Sequence, residues 1–131
     1  MALFPRHRLS RDGHHVRILH IEVERMLDAN FNLGRYAEAH QIDILGIALH
    51  WAHQSLEGVE IAQEVKRGSP STFLVAGGLT ASAFAGEIVS TTPFDAVVRG
   101  EGEEPMRVLA EELYQAKLQG RCPDLANVPN L

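Results

Sequence analysis

Two stretches of this sequence hold residue types that could do chemistry. In Val97-Val98-Arg99-Gly100-Glu101-Gly102-Glu103-Glu104-Pro105, an apolar run stops at two glycines alternating with carboxylates, and helix-forming residues follow. Gly100 and Gly102 permit backbone shapes that a side chain forbids, and they let a ligand approach the main chain closely. Glu101 could accept a hydrogen bond, while Glu103, Glu104 and Pro105 suit the first turn of a helix. Strand, glycine turn and helix N-terminus together form the junction at which open parallel α/β sheets take ligands. The second stretch is His50-Trp51-Ala52-His53, where two imidazoles could share one helical face and bind a metal. No third ligand lies nearby and Cys122 is remote in sequence, so no metal residue is assigned. Glu101, Glu103 or His50 could serve as acid or base in a free-standing enzyme, but nothing pairs them, and no catalytic residue is assigned.

Small residues gather where strands should end: Gly46 and Ala48, then Ala76, Gly77 and Gly78, then Gly100 and Gly102. Together they could floor a slot between a sheet and its covering helices, although any one of these glycines could simply serve a turn. A dinucleotide fingerprint does not fit, because Gly100-Glu101-Gly102-Glu103-Glu104-Pro105 ends in proline and its carboxylates repel a pyrophosphate. The Gly-Lys-Ser/Thr of a P-loop is absent. A phosphorylated receiver needs an aspartate where Leu49-His50-Trp51 stands.

The elements that would position these residues are legible as apolar runs alternating with helical patterns. Strands are expected at His15–Ile21, Ile42–His50, Thr72–Ala76 and Asp95–Arg99, all but the first near-continuously apolar, as in a sheet covered on both faces. A short helix is expected near Gly34–Ala39. A second starts from the cap candidate Ser55, with Leu56, Val59, Ala62 and Val65 on one face, and ends at Gly68-Ser69-Pro70. A third, opened by Thr80 and marked by Phe84 and Ile88, stops before Pro93. A fourth is marked by Met106, Leu109, Ala110 and Leu113 and reaches about Leu118. Glu22–Leu33 is ambiguous, and Arg121–Leu131 reads as a linker. The alternation implies βαβ crossovers and a parallel sheet. The pattern predicts that the chain opens within a helix, Leu3–Ser10, with no strand ahead of residue 14.

The 131 residues suit one domain, expected at 1–120 with the linker at 121–131. A net charge of −5 argues against a nucleic-acid surface, although residues 1–11 hold Arg6, Arg8 and Arg11 and no acid. No run is long enough for a membrane span, no signal-peptide core is present, and the single Cys122 excludes an internal disulfide, so a reducing cytoplasm is expected.

Gly77-Gly78 after an apolar strand, then Thr80, then Asp95-Ala96-Val97-Val98-Arg99-Gly100-Glu101-Gly102-Glu103, resembles the cobalamin-binding domain of cobalamin-dependent radical S-adenosylmethionine enzymes. Asp43-Ile44-Leu45-Gly46-Ile47-Ala48-Leu49-His50 fits the same family, and the likeness covers roughly residues 5–118. The resemblance implies a flavodoxin-like (Rossmann-like) parallel sheet with helices on both faces, which buries the cofactor's nucleotide tail between strands and helices. It implies cobalamin as cofactor and partner. Gly46, Ala48, His50, Trp51, Gly77, Gly78, Thr80, Gly100, Glu101 and Gly102 are then the cofactor-binding candidates. His50 and Trp51 would line the slot mouth, backbone groups around Gly78, Thr80, Gly100 and Gly102 would meet the corrin amides, and Glu101 would accept from an amide or a ribose hydroxyl. The family's catalytic part, a radical S-adenosylmethionine domain in cis with a C-x-x-x-C-x-x-C iron–sulfur loop, is not in these residues.

Departures from the family pattern are specific. Ala48-Leu49-His50 stands where cobalamin domains carry Ser-x-Leu, although residues 51 to 76 give the expected separation from Gly77. Asp12-Gly13-His14-His15-Val16-Arg17 imitates only the first half of Asp-x-His-x-x-Gly, whose histidine ligates cobalt, and it precedes a strand instead of following one. The strand that usually opens the domain, central in the family's sheet, has no counterpart. A degenerate interaction domain that no longer binds cobalamin, dimerising so that copies complete each other's sheets, is the alternative.

Overall fold

The computed structural model describes residues 13–131, apart from the side chains of residues 52–54. The expected helix over Leu3–Ser10, the basic arm, Asp12 and the side chain of His53 lie outside the described residues. Three strands form one parallel sheet in the order β1-β2-β3 among the described residues: β1 Ile44–Ala48, β2 Phe73–Gly77 and β3 Ala96–Val97. Register runs Ile44↔Phe73 to Ala48↔Gly77, then Val75↔Ala96 and Ala76↔Val97. Alternation sorts the strand side chains onto two faces. Ile47, Leu49, Leu74, Ala76 and Val97 enter one core cluster, while Val75 and Val98 enter another with Met106 and Leu109. Helices therefore cover both faces, as the apolar runs predict for the flavodoxin-like parallel sheet.

The helices are α1 Ile21–Leu27, α2 Leu33–Ala39, α3 Ala52–Gly68, α4 Leu79–Ala83, α5 Ala85–Thr91 and α6 Glu103–Gln119. The ambiguous stretch thus holds α1 and the turn before α2, whose Asn32 side chain caps the Arg35 N–H. In α3 the buried stripe is Gly58, Ile61, Ala62 and Val65, whereas Leu56, expected on that face, is 70% exposed. Gly58 sets the phase, because a Cβ there would collide with Leu49. The helix begins before Ser55, whose hydroxyl donates back to the Trp51 carbonyl. α2 and α3 touch where Gly68 meets the Gly34 backbone, so closely that a Cβ on Gly68 would lie 2.5 Å from the Gly34 carbonyl carbon. The single helix expected from Thr80 to Pro93 is broken at Phe84 into α4 and α5.

His15–Ile21 is not a strand. Residues 14–20 run without regular structure and Ile21 opens α1. The β-branched pattern is present, but a strand needs a neighbour for its backbone groups, and none of the described strands pairs with this segment. The stretch 121–131 carries a 3₁₀ turn at Leu125–Asn127 and buries Val128 against Val75 and Leu109.

Candidate functional site

The carboxyl ends of the three strands converge through a set of short bonds. Leu49 extends β1 and donates its N–H to the Gly77 carbonyl at 2.7 Å. Its own carbonyl accepts from the Thr80 N–H at 3.1 Å, and the Thr80 hydroxyl donates to the His50 carbonyl at 3.1 Å. Gly78, between these contacts, has φ +103 and ψ 179, and a Cβ there would sit 2.8 Å from the Leu49 carbonyl oxygen and 3.1 Å from His50 Nδ1. Glycine is required by both the dihedral and the space. The exit of β3 is fixed on two sides. The Arg99 N–H donates to the Asn130 carbonyl at 2.8 Å, and the Gly100 N–H donates to Ser82 Oγ at 3.0 Å.

Around this tied rim stand large apolar side chains in water. Trp51 is 60% exposed, Leu79 72% and Phe84 53%. Trp51 follows β1, Leu79 follows β2, and they flank the bonded pair His50 and Thr80. Exposed apolar groups grouped at strand carboxyl ends mark a place for a ligand. Gly100 has φ +75 and nothing within 4 Å of an added Cβ, so the turn after β3 leaves open space. Glu101 is exposed beside it, and Gly102 caps α6.

The sequence-derived candidates divide into three groups in space. His50, Trp51, Gly78 and Thr80 meet at the β1–β2 end, and Gly100, Glu101 and Gly102 form the turn after β3, joined to α4 through Ser82. Ala48 and Gly77 are register partners in the ladder itself. Gly46 lies within β1, opposite Val75, and lines a separate cavity at the other edge of that strand. Two of the backbone groups expected to serve a ligand are engaged inside the fold: the Thr80 N–H, which donates to the Leu49 carbonyl, and the Gly100 N–H. Leu79 and Ser82 were not among the candidates, and Phe84 read as a core position. Leu79 follows directly on Gly78, and an apolar residue at that place in a strand-end turn was the available signal.

The separate cavity has a volume of about 470 Å³. Val16 and Leu19 stand on one side of it, Ile44 to Ile47 on the other, with Ile61 of α3 and Met106 of α6 covering it. No group of three or more His, Cys, Asp or Glu suited to a metal ion occurs among the described residues, and no helix there is long and apolar enough to cross a membrane.

Comparison with known proteins identifies the family. A family model described as the B12 binding domain matches residues 7–110. Hopanoid C-3 methylase of Methylococcus capsulatus is 29% identical over 125 residues, which is 94% of this chain and 23% of that protein. The chain thus spans about a quarter of the length of this curated relative. No solved structure matches it.

Proposed function

The chain belongs to the family of B12-binding domains, and from that premise we propose that it holds cobalamin across the carboxyl ends of β1, β2 and β3 and presents it to a radical S-adenosylmethionine domain of the same polypeptide. The observation that carries this reading is the exposed Trp51 and Leu79 beside the carboxyl ends of β1 and β2, with Phe84 exposed at the end of α4. A corrin is a flat ring with an apolar face and an amide-bearing edge, and these side chains offer an apolar platform of matching character. The open backbone at Gly100, with Gly102 beyond it, leaves room for the ring edge, and Glu101 accepts a hydrogen bond from an amide or a ribose hydroxyl. His50 and Thr80, tied to each other, hold Trp51 and Leu79 in position. Ala48, Gly77 and Gly78 keep the strand ends low beneath the group, while Gly46 stands apart within β1. Cobalamin in such a place supplies a cobalt able to carry a methyl group. The kinship with a methylase favours methyl transfer as the reaction of the whole protein, with the iron–sulfur cluster and S-adenosylmethionine held by the catalytic domain.

The test mixes the purified chain with hydroxocobalamin and passes it over a desalting column. Corrin absorbance should travel with the protein, and Trp51→Ala, at a position too exposed to matter for folding, should reduce the retained corrin at least several-fold. Elution of the corrin entirely in the small-molecule fraction overturns the proposal. A second reading, a relative that keeps the fold and has lost the cofactor, is favoured by the engagement of the Thr80 N–H and the Gly100 N–H within the fold. That reading requires no retained corrin.

A further inference from the structure

The short helix α4, Leu79–Ala83, is a bar laid across the carboxyl ends of the sheet. At its start the Thr80 N–H and hydroxyl reach the Leu49 and His50 carbonyls at the end of β1. Ala81 is fully buried and fixes the bar in the core. Ser82, half-buried, meets the far side: its Oγ accepts the Gly100 N–H at 3.0 Å. One helix thus ties the β1 end to the turn after β3. The same helix carries Leu79 of the exposed apolar set and ends on Phe84.

The turn after β3 has few other restraints. The β2–β3 ladder holds the pairs Val75↔Ala96 and Ala76↔Val97, and beyond them the Val98 N–H reaches the Ala76 carbonyl. From Arg99 the backbone leaves the sheet, and it regains helical bonding where the Met106 N–H donates to the Gly102 carbonyl. Gly100 and Gly102 lie within this excursion, and glycine has the freest backbone of all residues. Two N–H groups hold it: Arg99 on the Asn130 carbonyl and Gly100 on Ser82. The second bond also departs from the habit of this chain's helical hydroxyls. Ser55, Ser90 and Thr91 each donate to a carbonyl four residues earlier, the usual bond of a helical serine or threonine. Ser82 instead faces another segment of the chain and accepts from its backbone.

We propose that Ser82 is a positioning residue of the ligand rim: its hydroxyl holds the turn after β3 at a fixed span from Leu79 and Phe84, so that Gly100 and Glu101 stand at the edge of the bound ring. This role rests on the cofactor reading above. Ser82 acts through the Gly100 N–H. Without that bond the left-handed conformation of Gly100, φ +75, becomes one of several open to the turn. A ligand that needs one conformation binds more weakly by the fraction of molecules that adopt it. A single net hydrogen bond shifts such a fraction by roughly two- to tenfold.

The test compares Ser82→Ala, which removes the acceptor and substitutes a better helix former, with Ser82→Thr, which keeps a hydroxyl. In Ser82→Ala, amide exchange at Gly100, followed by NMR, should quicken, and the dissociation constant for hydroxocobalamin, from absorbance titration of the folded chain, should rise by the same roughly two- to tenfold. Ser82→Thr should restore both. A tie that serves the fold alone would lower the urea midpoint of Ser82→Ala and leave the dissociation constant at the parent value, and that result overturns the proposal. So does unchanged exchange at Gly100, or a loss in Ser82→Thr equal to that in Ser82→Ala. A parent chain that retains no corrin overturns the cofactor reading and this role with it, whereas a parent and Ser82→Ala that bind equally overturn the role alone.

Discussion

Replacing Gly78 with alanine tests how the rim is built. The residue sits at φ +103 and ψ 179, a region that essentially only glycine occupies, and forcing another residue to stay there costs about 1–3 kcal/mol. The new Cβ would also lie 2.8 Å from the Leu49 carbonyl oxygen and 3.0 Å from the Leu49 carbonyl carbon, atoms of a backbone that cannot rotate aside. Relief requires the Leu49–His50 extension of β1 to back away from β2. That movement lengthens the Leu49 N–H bond to Gly77 and the Thr80 N–H bond to Leu49, each worth about 0.5–1.5 kcal/mol net. Strain and lost bonds together give about 2–6 kcal/mol, against the 5–15 kcal/mol typical of whole domains. In urea, with slopes of about 1–3 kcal/mol per molar for small proteins, the unfolding midpoint should fall by roughly 1–3 M. Gly100→Ala is the control, since its φ of +75 is left-handed but its surroundings are open, and its cost should stay near 1–2 kcal/mol. A midpoint for Gly78→Ala that matches the parent, or lies above that of Gly100→Ala, would refute the claim that close approach of β1 to the Gly78 turn fixes the rim.

Other outcomes follow from particular residues. Gly86, inside α5 with nothing within 4 Å of an added Cβ and no positive φ, should gain about 0.5–1 kcal/mol on substitution by alanine, read as a raised urea midpoint. Asp95 accepts from the Leu74 N–H at 2.8 Å and from Lys66 Nζ at 2.7 Å. Asp95→Ala should cost about 1–3 kcal/mol by stranding a partly buried N–H, and Lys66→Ala should cost less, because the backbone bond survives it; the reverse order in paired urea curves would contradict this. The Glu112 carboxyl is held below its ordinary range by the Arg121 guanidinium and then by the Asp124 N–H. A lowered folded-state pKa contributes stability that is complete at neutral pH and is lost as pH falls through the lowered value. Acidification should therefore loosen residues 121–131, seen as pH-dependent exposure of Val128 by NMR, while Glu112→Gln should remove the pH dependence.

The sheet was readable because its strands are buried on both faces. Ile44–Ala48, Phe73–Gly77 and Ala96–Val97 are apolar at nearly every position, and a sequence announces that without reference to neighbours. Residues 14–20 show what such reading omits. Val16 and Ile18 suit a strand, yet pairing belongs to two segments at once, and no described segment stands beside this one to supply the second half. The same limit explains α3. Leu56 and Gly58 lie about 200° apart around the helix, and the face that is buried was chosen by Leu49 of the β1 extension, whose side chain presses on the Gly58 backbone so closely that a Cβ there would collide with it.

The glycines carry the deeper lesson for the site. From sequence, Gly46, Gly77, Gly78, Gly100 and Gly102 form one class of small residues at strand ends. In space they do different things. Gly78 lets two backbones touch, Gly100 turns the chain left-handed into open space, and Gly46 belongs to the unpaired edge. The rim is consequently a closed, bonded surface at β1 and β2, opening only after β3. A cofactor held there rests on Trp51, Leu79 and Phe84 more than it sinks between Gly77 and Leu49. This ordering is itself testable: a bulky side chain at Gly100, such as Gly100→Asn, which tolerates a left-handed φ, should reduce corrin retention while leaving the unfolding free energy from urea curves within about 1 kcal/mol of the parent. Retained corrin at the parent level with that variant would move the binding surface off the turn after β3.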